Sequence, residues 1–393
     1  PSDFAGLLDT NGNPLFDQAD LNALNAQTGR DVSDSVTTLS NRVRLNFDTS
    51  FTGRDLLRTR LESGNVPNLG GVTNTDGARL SFDDNTGNDI ELDELFYRFP
   101  VGNRINAWVG ANGFKMDDIF DVKNPQFASS GTGATSRFAR YNPAVYRLGS
   151  TEGAGAGLNV GLTNSIGLDL AYLVSSDNAA NPTGLNNGLF QGDYNAAAQL
   201  NFSPTNNIDL AFTYVRSWYE RGGNVNLSGS TSSFLSENPF AFLNFDLDDK
   251  EDNVTANRYG AQANIQLGER FSVGGWYGLV DAQANEQNAD ATVTNWAAHA
   301  SLQDLGREGS VLGAVFGQLP KITDSRGLFS DVGGAAVQEF EEDDTSYLLE
   351  VLYKYPLSQN ILLTPSFYTI FNPNNNNNND NVYVGVLRTT FKF

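Results

Sequence analysis

The chain has 393 residues, no cysteine, one histidine and a formal net charge of −21, with only 39% of its residues hydrophobic. Such acidity argues against a nucleic-acid partner, whose phosphates it would repel. A single His and no Cys exclude His- or Cys-based metal clusters, so no metal and no cofactor is expected. No run of about 18 apolar residues is present, so no transmembrane helix is expected. Neither a signal peptide nor an initiator Met is seen, and the opening at Pro1 reads as the mature or trimmed part of a longer precursor.

Residues 1–37 are polar and irregular and read as a loop leading into the main domain, with turn chemistry at Asp9–Pro14 and a short surface helix over Asp17–Gln27. From Leu39 the chain alternates. Leu39, Val43, Leu45, Phe47 and Phe51 share one face, and Arg42, Arg44, Asn46 and Asp48 share the other. Period two places successive side chains on opposite sides of a strand. A hairpin centred on Gly53 keeps both apolar faces together and sets Asp48 opposite Arg58 and Arg44 opposite Glu62. A one-residue slip would turn the arginines outward.

The same pattern recurs along the rest of the chain. Strands around Leu95–Phe99 and Ile105–Ala111 flank a Pro-Val-Gly-Asn turn. Others pair across Thr163–Ser165, Ser203–Asn207, Gly268–Arg270, Asp304–Gly306 and Pro356–Asn360, and an Asn tract at 374–379 precedes a last strand ending at Phe393. Short turns alternate with long connections. Aromatics (Phe99, Phe202, Phe271, Tyr355, Phe393) gather beside the short ones. Strands that spend every second residue on hydrocarbon, tight turns at one rim, long loops at the other and aromatic girdles describe an all-β transmembrane antiparallel barrel. A sandwich would not put every short turn on one side of the alternation. About fifteen strands are visible. Because bacterial single-chain barrels are even-numbered, a sixteenth is expected at or before the N-terminal edge, partly or wholly missing, with fourteen as the second count. The barrel domain then covers residues 38–393.

The polar phase carries Arg42, Arg44, Arg58, Arg60, Arg98 and Arg258, expected to line the lumen. Either this ladder focuses anions in a narrow passage, or Asp48, Glu62 and their neighbours neutralise it. The long connection 113–150 is expected to fold inward as a constriction loop, with Arg137, Arg140 and Arg147 on one side and Asp117 and Asp118 opposite. Acid runs at 246–252 and 339–344 read as solvated loop charge. His299 and Ser301 share an inward face without an orienting acid, so no catalytic residue is assigned and an enzyme is not expected. Trp108, Trp276 and Tyr368 also point inward and would form a sugar slide if the channel selects carbohydrates.

The stretch Asn41–Leu61, with Glu94–Phe99, Phe138–Pro143 and the C-terminal strand, resembles the cyanobacterial SomA-type outer-membrane porins, also called iron-uptake porins and related to OprB-like carbohydrate-selective porins. The resemblance implies a homotrimer in the outer membrane, in contact with lipid and lipopolysaccharide, forming a passive water-filled channel for small hydrophilic solutes, chiefly inorganic ions. It implies assembly through Phe393 by the barrel-assembly machinery. It also implies a precursor whose N-terminal domain binds a peptidoglycan-linked polymer. No such domain precedes the barrel in this sequence, so the wall-tethering role stays an alternative alongside carbohydrate selectivity.

Overall fold

The computed structural model describes residues 36–183, 187–220, 225–243, 252–328 and 341–393. The expected loop at 1–37 lies almost wholly outside the described residues, as do residues 246–251 of the first acid run and 339–340 of the second. Sixteen antiparallel strands form one sheet. In chain order they are β1 (Arg42–Thr49), β2 (Leu56–Val66), β3 (Asp84–Asn85), β4 (Glu91–Val101), β5 (Ile105–Phe114), β6 (Gly153–Gly161), β7 (Ile166–Ser175) and β8 (Tyr194–Thr205). They continue as β9 (Ile208–Tyr219), β10 (Val254–Leu267), β11 (Phe271–Ala284), β12 (Ala289–Gln303), β13 (Val311–Arg326), β14 (Tyr347–Pro356), β15 (Ile361–Phe371) and β16 (Val382–Phe391). Every strand but β3 hydrogen-bonds its sequence neighbours in a single meander, and β3 pairs only with β2.

The local chemistry explains the register. Arg44 pairs with Glu62 and Asp48 with Arg58, as the hairpin centred on Gly53 requires. Gly53 itself takes φ +78°, a conformation that costs a glycine little and other residues much. On the outward phase Val43, Phe47, Val109, Phe212, Phe367 and Leu387 are all exposed, while Ala211, Val215, Val293 and Val315 on the inward phase are fully buried. This is the inverse of a soluble protein and is what a lipid-facing wall requires. Two aromatic bands bound it. Near the long-loop rim Tyr172, Tyr194 and Trp218 stack in sequence, Tyr214 meets Tyr259, and Phe316 stacks on Tyr347 while meeting Trp296 edge-on. Near the short-turn rim Tyr97 stacks on Phe99 and takes Phe51 edge-on, and Tyr353 meets Tyr355 at a tilt. No helix among the described residues is long and apolar enough to cross a membrane.

Three features depart from the expectation. β11 and β12 run on to Ala284 and Ala289 and meet in a tight turn at the long-loop rim, so the connections there are not all long. The Asn tract folds inward: Asn374, Asn375 and Asn376 are buried, and Asn375 donates to the Pro320 carbonyl and the Glu342 carboxylate. Glu342, inside the second acid run, is therefore a buried anchor and not solvated charge. It also accepts from the Ser233 hydroxyl and the Ile322 amide.

The sheet curls until its first and last strands reach the same inner segment. Arg42 and Arg44 of β1 donate to Ser130, while Arg388 and Thr390 of β16 donate to the carbonyls of Gly133 and Gly131. No ladder joins β1 directly to β16 among the described residues.

Candidate permeation pathway

The connection between β5 and β6 folds into the interior. It enters through a helical turn, Met116–Ile119, preceded by Lys115, whose amide donates to the Asp118 carboxylate at 2.8 Å. Its two ends are stapled by Glu152, which accepts from the amides of Met116 (2.9 Å) and Leu148 (3.1 Å). Apolar side chains from this loop (Phe114, Met116, Ile119, Tyr146, Leu148) pack against inward alanines and valines of β7–β10. The wall makes room with glycine. A Cβ on Gly260 would sit 2.8 Å from Val145, and one on Gly313 would sit 2.6 Å from the Phe127 ring.

The loop tip is pinned to the wall by ionic groups that the sequence reading did not single out. Glu350 of β14 accepts from the amides and hydroxyls of both Thr135 and Ser136. Lys354 donates to the Gln126 carbonyl and Arg388 to those of Gly133 and Ala134. The readable signal was a lone Glu and a lone Lys on the inward phase of an otherwise apolar strand.

The connection 67–90 also turns inward. Leu80 forms an antiparallel bridge with Ser136, Ser81 donates to the carbonyls of Thr135 and Ala134, and the Tyr368 hydroxyl donates to the Ala78 carbonyl. These connections fill much of the interior on the β4–β13 side, and a cavity lies on the β1–β2–β16 side. It measures about 520 Å³ and is lined by Arg44, Arg58 and Arg60 on the wall, by Asp117, Asp121 and Arg140 on the inner loop, and by Lys392.

The wall arginines of this cavity do not stand alone. Arg44 pairs with Glu62, and Arg58 makes a two-pronged bond with Asp48 at 2.8 Å on each arm. Arg60 pairs with Asp93 and with Glu94 at 2.9 Å. Arg42, which does not line the cavity, has no carboxylate ion pair among the described residues and donates to the Ser130 carbonyl. The ladder is therefore largely countered, and one oxygen of Glu94 and one of Asp117 lack any hydrogen-bond donor.

Besides Arg42 and Asp118, four expected positions fall outside the cavity lining. Arg258 is completely buried, donating to Ser217, Tyr219 and the Ala144 and Leu227 carbonyls beneath the loops, because neighbouring connections cover its stretch of wall. Arg98 lies over the Trp108 ring, 5.3 Å from its centroid, and does not line the cavity. Arg137 donates to the Gly229 carbonyl and faces Asp83, and Arg147 donates to the Arg137 carbonyl. Burial, with Arg137 close by, lowers Arg147 to about 9. The expected opposition of loop arginines to loop aspartates is replaced by something simpler. Arg140 and Asp117 pair on the same loop at 3.3 Å, and Asp118 serves as a cap, its carboxyl raised by burial and by Asp117. The residues facing Asp117 and Asp121 across the cavity are Arg44, Arg58 and Arg60 of the wall.

The inward aromatics are covered. Trp108 donates to Asn159, Trp276 to Asn295, and Tyr368 is wholly buried. His299 lies between Phe127 and Trp276, and Ser301 bonds Ser272 and not His299. Among the described residues no group of three or more acidic, His or Cys side chains could hold a metal ion.

The family model described as "Carbohydrate-selective porin, OprB family" matches residues 7–393. The chain belongs to the OprB family of porins. Two similar proteins are "Uncharacterized protein sll0772" of Synechocystis sp. (35% identical, covering 90% of this chain and 63% of that one) and "Uncharacterized protein alr4550" of Nostoc sp. (34% identical, 91% and 61%). This OprB-family chain spans a little under two thirds of the length of those relatives. Its fold is similar to Pseudomonas putida OprB at high pH (TM-score 0.57, 11% identity, 90% of this chain and 88% of that one). It is also similar to a loop-deletion mutant of Vibrio cholerae OmpT (TM-score 0.52, 8% identity, 89% and 90%). Family and fold together place this chain among the OprB-family porins.

Proposed function

We propose that this porin is a passive diffusion channel of weak selectivity, carrying chiefly small inorganic ions along the β1–β2–β16 side of its interior. The observation that carries the reading is the cavity itself. Guanidinium groups of the wall face carboxylates of the inner loop, giving a transverse field across a wet space without a ring of one sign. Water and hydrated ions pass such a field, while a strongly anionic solute meets arginines already held by Asp48, Glu62 and Asp93. As further parts of this proposal, the chain works without catalysis, assembles as a homotrimer in lipid and lipopolysaccharide, is inserted through Phe393, and falls in the SomA-type subgroup.

Carbohydrate selectivity is the second reading. The family's name favours it, and Val122 and Ala128 border the cavity beside hydrogen-bonding groups. Against it stands the covering of Trp108, Trp276 and Tyr368, which leaves no continuous aromatic track. Single-channel recording in salt separates the readings. An ohmic conductance untouched by millimolar sugars supports ion diffusion, blockade by sugars supports the second, and a protein without conductance would return the structural tethering role.

A further inference from the structure

The inner loop takes up the polar groups of the closing strands one after another and stops short of the last. Lys354 of β14 donates to the Gln126 carbonyl. On the inward phase of β16, Arg388 donates to the Gly133 carbonyl at 2.5 Å and Thr390 to the Gly131 carbonyl at 2.8 Å. Lys392 continues that phase, since Phe391 and Phe393 on either side of it are exposed on the outward face. It lines the cavity, yet no carboxylate, carbonyl or hydroxyl among the described residues binds its ammonium.

The other charges of the lining are already paired. Arg44 holds Glu62, Arg58 holds Asp48, Arg60 holds Asp93 and Glu94, and Arg140 holds Asp117. Asp121 is paired with Lys123. The backbone of Lys392 is nonetheless fixed. Its amide donates to the Asn360 carbonyl at 2.8 Å, and its carbonyl accepts from the Asn360 side-chain amide at 2.6 Å. Asn360 belongs to the turn between β14 and β15, so Lys392 stands at the short-turn mouth. A charge rooted at a mouth and uncountered at its tip acts on every ion that passes.

We propose that Lys392 is the charge-selecting group of the channel, drawing small anions to the short-turn mouth and turning cations away. This role rests on the diffusion-channel reading and names the charge that tips its weak selectivity. In water, a unit charge about 8 Å from an ion's path changes that ion's local population about twofold, upward for anions and downward for cations. The anion-to-cation ratio therefore moves about fourfold. Charges are felt over about 10 Å at 0.1 M salt but only about 3 Å at 1 M, so the bias fades as salt is raised. The paired arginines pull less, because each is opposed at close range by its own acid.

The full chain is tested in planar bilayers under a KCl gradient whose dilute side is about 0.1 M. Lys392→Gln lowers the chloride-to-potassium permeability ratio about fourfold, and the loss shrinks in about 1 M salt. Lys392→Cys, in a chain with no other cysteine, separates charge from structure and serves where the Gln variant fails to fold. A cationic thiosulfonate on that thiol restores the parent ratio, while an anionic one drives it further toward potassium. A conducting parent whose ratio is untouched by Lys392→Gln, or equal shifts from the two reagents, overturns the role of Lys392 and leaves the channel reading standing. A parent without conductance overturns both.

Discussion

Glu350 accepts from both the amide and the hydroxyl of Ser136, at 3.0 and 2.5 Å, across 214 residues of chain. With the matching pair of bonds from Thr135, one buried carboxylate carries four donors from the inner-loop tip. Charge-assisted bonds contribute about 1.5–3 kcal/mol each, and stranding the donors adds to the loss. Glu350→Ala is expected to loosen the tip, raising single-channel conductance and open-channel noise while the strands still form. Planar-bilayer recording checks this. Unchanged conductance would mean the tip is held by Lys354, Arg388 and the apolar contacts alone.

The arginines of β2 are bound to acids that stay behind when they are removed. Replacing Arg58 and Arg60 together by Ala strips Asp48 and Glu94 of their ion partners and leaves Asp93 only its longer contact with Arg44 at 3.9 Å. The reversal potential in a salt gradient should move toward cation preference. Asp48→Asn combined with Arg58→Ala removes one charge of each sign and should move it little. Equal shifts from both double variants would show that pairing does not control selectivity.

Glu152 is a buried carboxyl whose value is raised to about 7 by burial, with Asp117 adding to the effect, although two amides favour its charged form. A raised acid stabilises the fold fully below its unfolded value of 4.5, and that contribution is lost as the pH climbs to about 7. Packing of the inner loop should weaken by on the order of 1–3 kcal/mol over this window and stay flat above it. Hydrogen exchange of residues 115–152 at the two ends of the window reads the change, and Glu152→Gln should abolish most of it.

Gly313 and Gly385 provide a matched pair. A Cβ on Gly313 would press on Phe127 at 2.6 Å, whereas one on Gly385 meets nothing within 4 Å. Gly313→Val is expected to displace the inner loop and lower thermal stability by about 1–3 kcal/mol, and Gly385→Val to be near neutral. Thermal unfolding followed by gel mobility compares them. A neutral Gly313 variant would mean Phe127 can move aside freely.

The wall was readable residue by residue. Alternation is a relation between i and i+2, and a tight turn is a relation among four neighbours, so residues 39–62 alone were enough to set Arg44 against Glu62. The outward aromatics and the short turns followed from the same local chemistry. The fate of the long connections was not local. Whether Arg137 faces a cavity or the Gly229 carbonyl depends on a segment some ninety residues away, and Arg258 is buried only because the loops carrying Ala144 and Leu227 lie over it. Sequence alone settled which side of each strand meets lipid. The three-dimensional packing decided where the interior stays open, because filling a lumen depends on shape and hydrogen bonding between surfaces that only the curled sheet brings together.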